Sequence, residues 1–200
     1  MLFFLSCTPI EPTDSSAPPE KEPVPLFTEA ELSPPFYHVN SIWAGAALLD
    51  YNNDNWLDIF LTNGHSHPDA LYHNNGDGTF TDVAATAGVG SIEENGAVVA
   101  GDLNNDGFVD LIVNTPCSAT TLSNSGEYLW DGNKIIYHNN GDGTFSTVAF
   151  NLPEADEEHI RHCTFSMTLA DMNQDGFLDL VVADGHDPDV VAPWAFDKFH

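Results

Sequence analysis

The chain is 200 residues long, with 31 acidic against 4 basic residues and a formal net charge of −27. That balance excludes the electrostatic footprint of a nucleic-acid binder and attraction to an anionic membrane surface, while 42% apolar and 11% aromatic residues exclude disorder throughout. Like charges at this density repel unless cations sit among them, so composition already raises divalent-metal binding beside the plainer reading of a solvated acidic surface.

In chain order, residues 1–6 form a short apolar run ending at Cys7, followed over 8–25 by a stretch rich in Pro, Ser, Thr and Glu. This looks like the end of a bacterial lipoprotein signal (1–7), with Cys7 the residue to be lipidated and 8–25 an extended tether. The expected setting is extracytoplasmic: a bacterial cell envelope or the secreted state, with membrane contact only through that lipid. None of Cys7, Cys117 and Cys163 forms a Cys-x-x-Cys pair, which excludes a zinc ribbon or thioredoxin-like site. With Cys7 lipidated, Cys117 and Cys163 remain as an even pair whose bridging stays open.

From about residue 26 the chain repeats itself, in units near 43–90, 96–150 and 165–200. Each unit sets an apolar run of four to seven residues before an acidic loop and another after it, bounded by Asn, Asp and Gly, which is a strand pattern. The first two units continue into Asn-Asn-Gly-Asp-Gly-Thr-Phe, at 74–80 and 139–145, where Gly and Asn suit a tight hairpin. A full unit therefore reads as a four-stranded antiparallel sheet. Loop starts at Asp50, Asp102 and Asp171 lie 52 and then 69 residues apart, so an insertion is expected around 115–130. The third unit ends before its second hairpin. A short helix is expected over 153–162.

The loops carry the chemistry. Calcium takes six to eight oxygen ligands, and one tight loop supplies them from alternate positions. In the first loop these are Asp50, Asn52, Asp54, the Trp56 carbonyl and Asp58; in the second Asp102, Asn104, Asp106, the Phe108 carbonyl and Asp110; in the third Asp171, Asn173, Asp175, the Phe177 carbonyl and Asp179. About three calcium ions are expected. An EF-hand needs Glu at loop position twelve and flanking helices, but position twelve is Leu61, Val113 and Val182. The plainer reading is three Asn/Asp-rich turns formed by local hydrogen bonds. Gly107 and Gly176 stand where the first loop has Asn55, and Asn takes left-handed geometry less readily, so the first site is expected to be the weakest.

Loop and hairpin in this order resemble the FG-GAP or VCBS repeats of integrin-α-type propellers, especially bacterial relatives of cartilage acidic protein. Residues 71–83, continuing to Val89, carry the likeness, which covers about 26–184. The resemblance implies an all-β fold, a β-propeller of four-stranded antiparallel blades with calcium on one rim. This chain holds only about three blades, a partial propeller.

Other constellations have bland readings. His65, His67 and Asp69 read as a surface turn closed by Pro68, and His159, His162 and Cys163 lack a second ligand cluster for zinc. Phe80, Phe108, Phe145 and Phe177 read as blade core, and Asp77 and Asp142 as turn residues. No nucleophile elbow, metalloprotease helix or phosphate loop is present. The expected function is a non-enzymatic, calcium-stabilised module for adhesion or for contact with a protein or glycan on the propeller rim. The alternatives are an accessory or catalytic domain of an extracellular polysaccharide- or ester-processing enzyme, or a non-functional piece of a longer propeller.

Overall fold

The computed structural model describes residue 36 and residues 44–64, 67–92, 95–114, 118–122, 128–131, 134–149, 164–184 and 194–196. The chain divides into two units, Met1–His38 and Val39–His200, and every element below lies in the second. Cys7, the tether, Cys117, Cys163, His65, His159, His162 and the helix expected over 153–162 lie outside the described residues.

The fold is all-β, built from consecutive antiparallel blades. The first comprises β1 (Ala46–Leu49), β2 (Asp58–Leu61), β3 (Ala70–Asn74) and β4 (Phe80–Asp82), hydrogen-bonded in that order. A single helical turn, α1 (Ala84–Ala87), follows; Asp82 Oδ1 accepts the Ala84 N–H at 3.0 Å, and Gly88 ends the turn at φ 81°. The second blade begins with β5 (Val98–Gly101) and β6 (Asp110–Asn114). The insertion then forms its own two-stranded sheet, β7 (Ser118–Leu122) with β8 (Tyr128–Asp131), before β9 (Lys134–Asn139) and β10 (Phe145–Ala149) complete the order β10-β9-β6-β5. In the third sheet β11 (Thr164–Ala170) pairs with β12 (Asp179–Asp184), and β12 with β13 (Trp194–Phe196), a strand that the sequence pattern did not mark.

The second blade is packed on both faces. In a strand, neighbouring residues point to opposite sides, and on β6 Leu111 and Val113 join one core cluster while Ile112, between them, joins the other. The partner strand follows the same alternation: Tyr137, opposite Leu111, belongs to the first cluster and Ile136, opposite Ile112, to the second. The first cluster adds Leu49, Phe60 and Leu71 of the first blade; the second adds Met167, Leu180 and Val182 of the third. Burying each such side chain contributes about 1.5–3 kcal/mol, so stacking of blades, rather than any one sheet, stabilises the array. Of the four phenylalanines read as core, only Phe145 is there; Phe80, Phe108 and Phe177 are half-buried. They sit in or beside loops, where one side of the ring meets water.

Candidate functional site

The acidic loops lie between the first and second strands of each blade, and one hydrogen-bond network occurs in all three. Asp50 accepts the N–H of Asp54 at 3.0 Å on Oδ1 and that of Asn55 at 2.8 Å on Oδ2. Asp102 does the same for Asp106 and Gly107 at 3.1 and 2.9 Å, and Asp171 for Asp175 and Gly176 at 3.1 and 3.0 Å. Position five accepts from position seven: Trp56 N–H to Asp54 at 2.8 Å, Phe108 to Asp106 at 2.9 Å, Phe177 to Asp175 at 3.0 Å. These N–H groups hold the Asp54 and Asp106 carboxyls below the usual range. The curl needs two left-handed residues per loop: positions four (Asn53, Asn105, Gln174; φ 58–62°) and six (Asn55 at 70°, Gly107 at 89°, Gly176 at 90°).

Position nine is different in kind. Asp58, Asp110 and Asp179 are 0%, 1% and 3% exposed. Asp58 accepts the Tyr51 N–H at 3.1 Å and the Asn74 N–H at 2.8 Å; Asp110 accepts those of Leu103 at 3.0 Å and Asn139 at 2.8 Å. Burial pushes the Asp58 carboxyl up against the pull of these donors. Asp179 Oδ2 accepts the Met172 N–H at 2.8 Å, whereas its buried Oδ1 has no hydrogen-bond partner.

Two histidines escaped the sequence reading. His73 Nδ1 lies 3.2 Å from Asp58 Oδ1 and 3.9 Å from Asp54 Oδ2. His138 Nδ1 lies 3.1 Å from Asp110 Oδ1, and its Nε2 4.0 Å from Asp106 Oδ2. Both precede an Asn-Asn-Gly-Asp-Gly hairpin, and their recurrence at one place in two units was the available signal. The loop aromatics also bind the hairpins: a Cβ on Gly76 would lie 2.9 Å from the Trp56 ring, and one on Gly141 2.7 Å from the Phe108 ring. Asp77 and Asp142 use their carboxylates inside the hairpin turn, accepting the hydroxyls of Thr79 and Thr144 at 2.6 Å.

At the opposite end of the strands, Asp69 departs from the surface turn expected of it. Pro68 does close the turn, its carbonyl accepting Asn63 Nδ2 at 2.8 Å, but Asp69 is 1% exposed. It accepts the Asn63 N–H at 2.7 Å and Asn95 Nδ2 at 2.5 Å. Desolvation pushes its carboxyl up to about 7. The segment before blade two folds over it, a contact no local pattern announces.

A sequence model described as FG-GAP-like repeat matches residues 50–113 and 127–182, more than half of the chain. The chain belongs to the FG-GAP-like repeat family. It is 50% identical over 56 residues to human cartilage acidic protein 1, covering 28% of this chain and 8% of that protein. The same protein of Xenopus tropicalis is 45% identical over 69 residues, 34% of this chain and 10% of the relative. Integrin alpha-4 of Xenopus laevis is 33% identical over 87 residues, 44% of this chain and 8% of the relative. The matched stretches thus span a tenth or less of these relatives.

For an FG-GAP-like repeat the loop chemistry can be tested against a hard cation. Among the described residues, no three His, Cys, Asp or Glu side chains form a metal-holding group by themselves. The acids are turned onto N–H donors instead, and Asn52 Nδ2 and Asn104 Nδ2 each donate to the position-five acid at 2.9 Å. The donor set nevertheless suits calcium: three carboxylates, an amide oxygen and a peptide carbonyl per loop, without sulfur. Asn52 Oδ1 accepts the Asp54 N–H at 3.2 Å and Asn104 Oδ1 the Asp106 N–H at 3.0 Å, so each of these loops already carries an amide oxygen beside its acids.

Proposed function

We propose that this segment is a calcium-pinned propeller scaffold that acts outside the cytoplasm in adhesion, or in contact with a protein or glycan, without catalysis. The observation that supports it most is the threefold repetition of one oxygen-rich loop network, down to the same donor and acceptor atoms, at matching places in successive blades. Turns formed only for local reasons need no three like charges each; a divalent ion offsets that repulsion. Likeness to integrin alpha-4 and cartilage acidic protein 1 supports an interaction role. Cys7 is the point at which a lipid would hold the module to an envelope.

Thermal unfolding in excess calcium and in excess chelator tests this reading. An ion at a hundred times its dissociation constant adds about 2.7 kcal/mol per site, so a clear rise in Tm is expected, with about three ions bound per chain by calorimetry. Identical melting in the two conditions overturns the calcium reading.

A further inference from the structure

The acidic loops are hydrogen-bonded to one another. Asn53, fourth in the first loop, donates Nδ2 to the Gly107 carbonyl of the second at 3.2 Å. Asn105, fourth in the second, donates Nδ2 to the Gly176 carbonyl of the third at 2.7 Å. The receiving peptide is equivalent in both: the Gly107 carbonyl shares its peptide plane with the Phe108 N–H, which donates to Asp106 Oδ1 at 2.9 Å. The Gly176 carbonyl shares its plane with the Phe177 N–H, which donates to Asp175 Oδ1 at 3.0 Å. A peptide engaged at its oxygen is polarised and becomes a stronger donor at nitrogen. On the giving side, Asn53 and Asn105 sit at φ 58° and 60° between two candidate ligands, so the curl of their own loop aims the side chain.

The first two loops share a second bridge. Asn139 donates Nδ2 to the Tyr51 carbonyl at 2.8 Å and its backbone N–H to Asp110 at 2.8 Å, while the Tyr51 N–H donates to Asp58 at 3.1 Å. The path runs from the position-nine acid of one loop to that of the next.

We propose that Asn53 and Asn105 couple neighbouring loops, so that cation binding along the array is positively cooperative. This rests on the calcium reading above. A cation held at either loop would fix the bridge from Asn53 to the 107–108 peptide, whose N–H faces Asp106, so the neighbouring loop would already be ordered and would bind its own ion more tightly. Charge opposes this, since each bound divalent ion weakens the field that draws the next, so the hydrogen-bonded coupling has to outweigh a screened repulsion between neighbouring ions. Coupling between sites typically amounts to about 5- to 150-fold in affinity. With two bridges, the first and second loops are coupled more strongly than the second and third.

Calcium titration of the full chain by calorimetry, with Asn53→Gly and Asn105→Gly, tests the proposal. Glycine keeps the left-handed backbone and removes only the amide; Asn53→Asp, of the same shape but without the donor, is the second variant. The expected result is a Hill coefficient above 1 in the unaltered chain, lowered in each variant while the number of ions stays the same. In the unaltered chain, Asp54→Ala also weakens binding at the second loop several-fold, and in Asn53→Gly it does not. Three independent sites, or a slope unchanged by losing the amide, overturns the coupling and leaves the calcium reading standing. No binding at all overturns both.

Discussion

Asp110 holds Asn139: its carboxylate, sealed from solvent, accepts the Asn139 backbone N–H at 2.8 Å and so fastens β9 to the loop between β5 and β6. Asp58 and Asn74 repeat the bond at the same distance in the first blade. The ninth residue of the loop is therefore a bracket between hairpins as well as a candidate ligand, and the two roles separate by mutation. Asp110→Ala leaves the buried N–H groups of Leu103 and Asn139 without their acceptor, at about 1–3 kcal/mol each. It is expected to destabilise the chain by about 2–5 kcal/mol in chelator as well as in calcium. Asp106→Ala, in an exposed position, is expected to change stability by less than about 1 kcal/mol in chelator and to remove one bound ion in calcium. Urea unfolding in both conditions, with calorimetric stoichiometry, checks the pair.

The first loop carries Asn55 at φ 70°, where its counterparts Gly107 and Gly176 take 89° and 90°. Asn55→Gly keeps the N–H that reaches Asp50 and removes the steric cost of a side chain in that region, about 1 kcal/mol. It is expected to tighten the first site several-fold. An unchanged affinity in calcium titration would show that Asn55 does not weaken it.

Asp69 is buried with a carboxyl raised to about 7 from an ordinary value of 3.8. The folded state thus holds this proton more tightly than the unfolded state. The group's favourable contribution is complete below about pH 4 and is lost as pH rises to about 7, by an amount on the order of 4 kcal/mol. Asp69→Asn stays neutral, and after an amide turn of Asn95 its Nδ2 can donate to the buried Asn95 Oδ1, which has no hydrogen-bond partner. The variant is expected to be more stable than the parent at pH 8 and about equal to it at pH 4.5, in melting curves at fixed calcium.

Gly45 lets the first strands of two blades come together. A Cβ there would collide with the Gly96 carbonyl and sit 3.0 Å from the Val98 nitrogen, both backbone atoms that have little room to yield. Gly45→Ala is expected to cost about 1–3 kcal/mol or more. Gly90→Ala, whose Cβ would find its nearest neighbour at 3.8 Å, is expected to stay within about 0.5 kcal/mol. Equal melting temperatures for the two would mean that the blades do not approach closely at Gly45.

The loops and the strand pairs around them could be read from the sequence because their signals are local: alternating acids, left-handed residues and short apolar runs stand next to one another within each unit. Asp69 was misread for the opposite reason. Its burial depends on Asn95, 26 residues later, reaching back over it. His73 and His138 meet acids 15 and 28 residues earlier across a strand pair, and Asn53 meets Gly107 across a blade boundary; a motif spaced along the chain cannot register either. The insertion was visible as excess length, but its own pairing, β7 with β8, was not, since nothing repeats it elsewhere. β13 falls where the hairpin signature of the other units is lacking, so no pattern announced it.

Trp56 gives the first loop an optical label that the other two lack. They carry Phe108 and Phe177 at that place, whereas the indole, half in solvent, lies over Gly76 of the neighbouring hairpin. A luminescent lanthanide replacing calcium would be sensitised through this indole chiefly in the first loop. Emission excited through tryptophan would then follow a single position of the array while calorimetry counts them all.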